Sequence, residues 1–523
     1  MTAPLSSPTS PDPAAAPFPW KWLPLSLLSG VLSFVAFAGI DIWPLAFVAA
    51  VPHFVAVARG AKTTKHVLAL GFAYGFTTNA GGYYWIVEML TIFSGFHVAL
   101  CVLGGVLVWS YQAGQLTIAT WAWNRLRMAG VPAAFAFALI HPAVEWAYPF
   151  LFHHYFGNSF HTVPALIQIA DLGGALVVTA LTAVVNGAIF DVLEARRAGH
   201  AFPRAPVAVA AASLVFTLGY GAYRIAEVDR RVAASPELKV ALVQANMGLR
   251  EKHENPYEGV ERHIAQSQLA ESQHQPDLIF WPESAYTFLI SEDVKNMRRY
   301  FTGELHTPVL FGGLMSRLGP DRRRSYNTAF LIDGDGDILG SYDKVFLLPF
   351  GEYLPFGERF PKLYEISKHS GRFTPGDEQK SLEFEGHRIA PLICYEDIVP
   401  DFVRAVVNKT QPELLVNLTN DAWFGDTTEP WEHLALAKFR AVEHHLYLVR
   451  ATNSGVSAIV DPVGRVLTHG PVFERATLSG TVRWMKGRTL YQTVGDVAGW
   501  GSATVVVVLL WRSRRKRPVA AGS

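Results

Sequence analysis

Eight apolar stretches constrain this 523-residue chain more than any other feature, at roughly 23–40, 43–58, 66–90, 97–123, 131–152, 164–193, 205–223 and 494–511. Each is long enough, or nearly so, to cross about 30 Å of hydrocarbon as a helix. An unpaired backbone group in that medium is costly, which leaves such stretches little choice but helix. Composition agrees, with 50% hydrophobic and only 17% charged residues, too apolar for an ordinary soluble protein of this length. Positive charge falls on alternate connections: Arg59, Lys62 and Lys65; Arg125 and Arg127; Arg196, Arg197 and Arg204; and Arg512, Arg514, Arg515, Lys516 and Arg517. By the positive-inside rule both termini are expected in the cytoplasm and the long segment between stretches seven and eight on the opposite side. Ala36-Phe37-Ala38 resembles a signal-peptide cleavage site, but the flank holds only Lys21 and six spans follow, so retention is expected.

The expected layout is a disordered cytoplasmic tail (1–22), seven transmembrane helices (23–237), an extramembrane domain (238–486), an eighth transmembrane helix (487–512) and a basic cytoplasmic tail (513–523). Short apolar runs recur through 238–486, including Leu278 to Trp281, Ile389 to Cys394 and Leu414 to Leu418, and read as strands buried on both faces. Helical patterns separate several of them, and Asp333-Gly334-Asp335-Gly336 marks a hairpin, so a mixed α/β domain is predicted. A net charge of +1 with dispersed basic residues points away from nucleic acid. The two cysteines, Cys101 within an apolar run and Cys394, imply no disulfide framework. No phosphate-binding loop or metal-ligand spacing is evident, so neither cofactor nor metal is expected.

Three reactive side chains stand where an apolar run has just ended: Glu283 in Trp281-Pro282-Glu283-Ser284, Lys344 in Tyr342-Asp343-Lys344, and Cys394 in Cys394-Tyr395-Glu396-Asp397. Taken singly, each reads as an ion pair or as packing. Together they suffice for covalent acyl transfer. A thiol is only slightly ionised near neutral pH, a desolvated carboxylate can take its proton, and an ammonium with a backbone N–H can meet the oxyanion. That N–H is expected from Tyr395, directly after Cys394, at the mouth of a helix begun by Pro400.

These strings, with Phe350-Gly351-Glu352-Tyr353-Leu354-Pro355-Phe356, resemble the nitrilase superfamily of carbon-nitrogen hydrolases. Together with the membrane spans, they resemble the apolipoprotein N-acyltransferase family from about Trp20 to Arg512. The resemblance implies a nitrilase-like αββα sandwich facing the periplasm, inserted between the helices of an eight-span protein of the bacterial inner membrane. It implies a catalytic Glu283, Lys344 and Cys394, supported by Glu352, Tyr395 and Glu396. Cys394 would take an acyl chain from a phospholipid and pass it to the α-amino group of an S-diacylglyceryl cysteine on an apolipoprotein. Phe350, Phe356, Trp423, Phe424 and His253 would contact substrate, His253 standing near a position where the family often has tryptophan. A monomer is expected. Glu88, His141, Glu145 and Asp171 are polar groups at membrane depth and hence functional candidates. A membrane-tethered amidase, or a non-enzymatic scaffold or transporter, is the alternative.

Overall fold

The computed structural model describes residues 17–301, 305–319, 323–349, 351–366 and 371–515. Among the described residues, thirteen strands build two mixed sheets. The first runs β13-β1-β2-β4-β5-β6, with β3 also pairing β4; its members are β1 (Glu237–Gln244), β2 (Leu278–Phe280), β3 (Tyr286–Ser291), β4 (Val309–Leu318), β5 (Arg323–Ile332), β6 (Ile338–Asp343) and β13 (Ala476–Arg483). The second runs β12-β11-β10-β9-β8-β7, from β7 (Leu382–Phe384), β8 (His387–Ile393), β9 (Leu414–Thr419), β10 (Leu448–Thr452), β11 (Ala458–Val460) and β12 (Val466–His469). β1, β2 and β4 are parallel neighbours, as are β8, β9 and β10. All six residues of β9 are buried, as a central parallel strand covered on both faces requires.

One continuous core joins the sheets: Val240 and Leu242 of β1 meet Leu392 and Ile393 of β8 and Leu415 of β9. Helix Pro256–His274 closes the outside of the first sheet, placing Val260 and Ile264 against Ala241, Val243 and Trp281. Helices Pro400–Thr410 and Glu429–His444 cover the second through Val403, Val406, Leu434 and Ala437. The layers therefore run helix, sheet, sheet, helix.

Four helices are long and apolar enough to cross a membrane among the described residues: Trp43–Gly60, Val98–Met128, Ala175–Ala198 and Arg204–Ala234. Trp20–Val35, Ala133–Ala147 and Val497–Ser513 are shorter apolar helices. Two expected spans are not single helices. The stretch at 66–90 breaks into Thr64–Gly82 and Ile86–Ser94. At the break, Trp109 Nε1 donates to the Tyr83 carbonyl at 2.9 Å, and Trp85 Nε1 donates to Glu432 Oε2 at 3.2 Å. The stretch at 164–193 opens as two single turns, Pro164–Ile167 and Ala170–Gly173, before Ala175–Ala198. Gly174, at φ +76°, makes the corner, where a left-handed backbone suits a residue without Cβ.

Helix Glu429–His444 is the hinge-piece between the two parts. Lys438 Nζ donates to the His161 carbonyl at 2.7 Å, and Glu443 Oε1 accepts from the Ala175 N–H at 3.2 Å. Asp171 pairs with Arg224 at 2.8 Å and His445 at 3.1 Å, so it lies at this junction rather than among lipid-facing spans. His141 and Glu145 pair at 3.1 Å, and Glu145 also accepts from the Phe156 N–H and the Thr179 hydroxyl, an anchoring role within the bundle. Glu88 is exposed on its short helix and faces the turn at Gly425.

Candidate functional site

β6 and β8 run directly into Lys344 and Cys394, and Glu283 stands three residues past the end of β2. Glu283 follows β2 in a tight turn whose next residue, Ser284, has φ +51°. Gly312 of β4 lets that turn approach: a Cβ there would stand 2.6 Å from the Glu283 Cα and the Pro282 carbonyl. Lys344 leaves β6 with its N–H bonded to the Asn327 carbonyl at 2.8 Å. Its Nζ lies 2.7 Å from Glu352 Oε2 and 3.6 Å from Glu283 Oε1. Asn327 on β5 joins the two glutamates, donating through Nδ2 at 2.7 Å to Glu283 and 3.0 Å to Glu352. Glu352 also accepts from the Leu348 N–H at 2.9 Å.

Cys394 sits in a left-handed backbone conformation, φ +51°, which a residue with a Cβ adopts only where its surroundings impose it. Glu396 supplies much of that constraint. One of its oxygens accepts from the Tyr342 hydroxyl and the Val345 and Phe346 N–H groups at 2.8–3.0 Å, and the other from the Ile393 N–H at 2.8 Å. The same carboxylate thus staples the cysteine turn to the segment that follows Lys344. Burial pushes Glu396 up to about 7, while those N–H groups and Lys344 pull it back. Asn417 Nδ2 caps the Cys394 carbonyl at 3.1 Å. The turn is a short 3-10 helix, Cys394–Ile398, separated by Val399 from the helix that Pro400 begins. Val399, at φ −96° and ψ 101°, is extended because a residue preceding proline is driven out of the helical region, so the N–H after Cys394, expected at the mouth of the Pro400 helix, belongs instead to the 3-10 turn.

The electrostatics hold the thiol protonated at rest. Burial pushes Cys394 well above the usual thiol range, the Glu283 carboxylate adds to this, and Lys344 and the Thr419 hydroxyl oppose it. Burial also raises Glu283, against the pull of Lys344. For Lys344, burial disfavours the charge, but Glu352, Cys394 and Glu283 outweigh it and hold the lysine as ammonium. A thiol with a neighbouring carboxylate and a locked ammonium favours proton transfer during nucleophilic attack over a standing thiolate.

The flanking residues divide. Tyr395 is buried, its ring stacked on Phe346 and its hydroxyl 2.8 Å from His153 Nδ1 in the membrane part, so the side chain itself ties the cysteine turn to the bundle. Phe424 packs edge-on against Trp85 at 5.3 Å and Trp423 against Phe93 at 5.7 Å, forming a seam between sheet domain and helices. Phe356 is 75% exposed. Phe350 lies outside the described residues; His253 falls in the short helix Leu249–Glu254, its side chain likewise outside them.

Sequence reasoning missed Asn327, His153 and a second buried charge cluster. Arg450 reaches Asp397 at 3.1 Å and Asp421 at 2.9 Å, and His433 reaches Asp397 at 2.8 Å and Asp421 at 3.3 Å. Asp421, Glu429 and His433 could hold a metal ion by geometry. The charges of Asp421 and His433 are met otherwise, and burial, with Asp421, pushes Glu429 well above the usual carboxylate range. His433 is raised to about 9: burial works against its charge, as does Arg450, but Asp397 and Asp421 prevail. Asp421 is held at about 2, Arg450 and His433 overcoming its burial. No local sequence signal marks this set, since its members come from four separate elements.

Comparison with known proteins gives two family matches: carbon-nitrogen hydrolase over residues 239–488, and apolipoprotein N-acyltransferase N-terminal domain over 29–188. An apolipoprotein N-acyltransferase of Geobacter metallireducens is 32% identical, with 94% of this chain and 95% of the relative covered. One from Rhodopseudomonas palustris is 29% identical, covering 95% and 96%. Among solved structures, an amidase from Nesterenkonia sp. AN1 has 22% identity and a TM-score of 0.35, covering 47% of this chain and 90% of the amidase. The chain belongs to the apolipoprotein N-acyltransferase family.

Proposed function

We propose that this protein N-acylates apolipoproteins, using Cys394 to carry a fatty acyl chain from a phospholipid to the α-amino group of an S-diacylglyceryl cysteine. The observation that carries the reading is the meeting of Glu283, Lys344 and Cys394 beside a helical membrane part, in a chain whose relatives bear this activity's name. Glu283 takes the Cys394 proton as sulfur attacks the ester carbonyl. Lys344 and backbone N–H groups at the cysteine turn meet the oxyanion. The tetrahedral adduct collapses to a thioester, and the proton passes to the departing lysophospholipid hydroxyl. The acceptor amine then attacks the thioester, gives its proton through Glu283, and Cys394 leaves as a thiol.

Location follows from the substrates. Each CH₂ of an acyl chain holds to the bilayer by about 0.8 kcal/mol, so the site has to reach the lipid. In this reading the chain crosses the bacterial inner membrane eight times as a monomer, with tails 1–22 and 513–523 cytoplasmic. The bundle 23–237 and the helix 487–512 flank a periplasmic domain, 238–486. Glu352 supports Lys344, Glu396 and Tyr395 hold the cysteine turn, and Phe350, Phe356, Trp423, Phe424 and His253 contact the substrates. No cofactor is required by these steps. Incubation of purified protein with a defined phospholipid should add one acyl mass on Cys394, discharged by a diacylated lipopeptide. An adduct that persists in Cys394→Ala overturns the assignment.

A further inference from the structure

The charges around Glu283 do not close on Lys344 alone. Two carboxylates, Glu283 and Glu352, share that one ammonium. A second lysine stands on the other side. Lys252 is 8% exposed, and its Nζ donates at 3.3 Å to the carbonyl of Ser284, the left-handed residue directly after Glu283. With it the set becomes two carboxylates and two ammoniums.

The mount of Lys252 is rigid. Asn453, just past β10, accepts from the Met247 N–H at 3.0 Å and donates to the Met247 carbonyl at 2.7 Å. Its own carbonyl accepts from the Asn246 N–H at 2.9 Å. The chain thus leaves β1 clamped to the second sheet, and helix Leu249–Glu254 starts from a fixed point. Glu251, beside the lysine in sequence, turns to Arg262 at 2.5 Å. From helix Pro256–His274, the titratable group facing Lys252 is His263, while Arg262 on the same helix pairs with Glu251 and Glu258. Burial, with the Lys252 and Arg262 cations, holds His263 down to about 3 and therefore neutral. The carboxylate that faces Lys252 is Glu283; around Glu283 stand Lys344, Glu352, Cys394 and the Asn327 amide.

We propose that Lys252 is a positioning residue of this site: a second cation that fixes the Glu283 turn through Ser284 and keeps the Glu283 carboxylate ionised to accept the thiol proton. The proposal rests on the reading of Glu283 as the base. Burial pulls Lys252 down to about 8, Glu283 opposing, so the lysine still carries its charge at neutral pH. Without that charge a buried Glu283 holds its proton to higher pH and is a base less often.

The test is the first-turnover rate of acyl-Cys394 formation by full-length protein in mixed micelles containing dioleoyl phosphatidylethanolamine, from pH 5 to 9. Lys252→Met should move the acid limb upward by about one pH unit, a roughly tenfold loss on that limb, with the plateau recovered at high pH. Lys252→Arg should restore the limb. Lys252→Gln, which keeps a donor for the Ser284 carbonyl but no charge, should move the limb as Met does. A loss equal at every pH, an unmoved limb, or full recovery by Gln overturns the proposal. Glu283→Gln tests the underlying reading separately: acylation at the wild-type rate would remove Glu283 as the base whatever Lys252→Met does.

Discussion

Two buried ionic clusters lie within one sandwich and differ in how their charges are met. Around Arg450, two aspartates, an imidazolium and a guanidinium meet face to face, with Arg450, Asp397 and Asp421 excluded from solvent. Around Lys344, two glutamates compete for one ammonium at 2.7 and 3.6 Å, and beside them stands a partly exposed thiol that its surroundings keep protonated. Burial of charge is common to both. What separates them is that the second has a group able to change its bonding and a partner ready to take its proton. A perturbed pKa points to a functional site only when such a group is present.

The sharpest way to break this contrast is to remove the reacting atoms. Cys394→Ser and Glu283→Gln should each lower acyl-adduct formation by about 10³-fold or more, and the double variant should be little worse than either, because groups acting as a unit are not additive. Intact-mass kinetics reads this. The thermal midpoint should barely move for Cys394→Ser, which orphans no buried cation, and should fall for Glu283→Gln, which removes the carboxylate facing Lys252.

Arg450→Met should do the reverse. It leaves Asp397 and Asp421 buried with only His433 between them, and breaking a buried pair in this way costs about 3–5 kcal/mol. The thermal midpoint of the full chain should fall steeply, while whatever remains folded still acylates Cys394. Lost acylation at unchanged stability would erase the distinction between the clusters.

Titration should separate them next. His433 is raised from 6.5 to about 9, so its stabilisation is complete below pH 6.5 and is lost as pH climbs through 9. Asp421, lowered from 3.8 to about 2, stabilises above pH 3.8 and fails only as pH falls through 2. Glu432, which burial pushes up to about 8, makes folding less favourable as pH rises towards that value. The midpoint should therefore decline between pH 7 and 9.5, and His433→Gln should flatten the decline.

How much of this could be read from sequence depends on the range of the contact. Glu283 and Cys394 were visible because each follows a run of buried apolar residues, a local pattern, whereas Lys344 follows the largely unburied β6 and was legible only from its Tyr342-Asp343-Lys344 string. The sheets were visible for the same reason in runs such as Leu414 to Leu418. Asp397, Asp421, His433 and Arg450 were not, because a buried polar residue has no periodicity and its partners lie up to 53 positions away. Lys252 and Asn327 were hidden likewise. The membrane spans were legible as apolar length, but the breaks at Tyr83 and Gly174 were not: they depend on Trp109, Glu432 and Asp171 finding distant partners.

Tyr395 joins the contrast to the membrane part, and its effect should be the smallest. The sequence suggested that its backbone N–H mattered most, yet its hydroxyl spans 242 positions to His153 at 2.8 Å and also reaches the Leu151 carbonyl at 3.3 Å. Tyr395→Phe keeps the ring on Phe346 and the backbone of the cysteine turn, and removes only these bonds. A neutral hydrogen bond contributes about 1 kcal/mol net, with more lost if the His153 nitrogen is left unpaired. The variant should lose a few degrees of thermal midpoint and a few-fold of acylation rate. His153→Phe should reproduce it, and the double variant should be little worse than either, since both remove the same bond. A loss comparable to Cys394→Ser would instead place the tyrosine hydroxyl among the reacting groups and merge the anchoring of the turn with its chemistry.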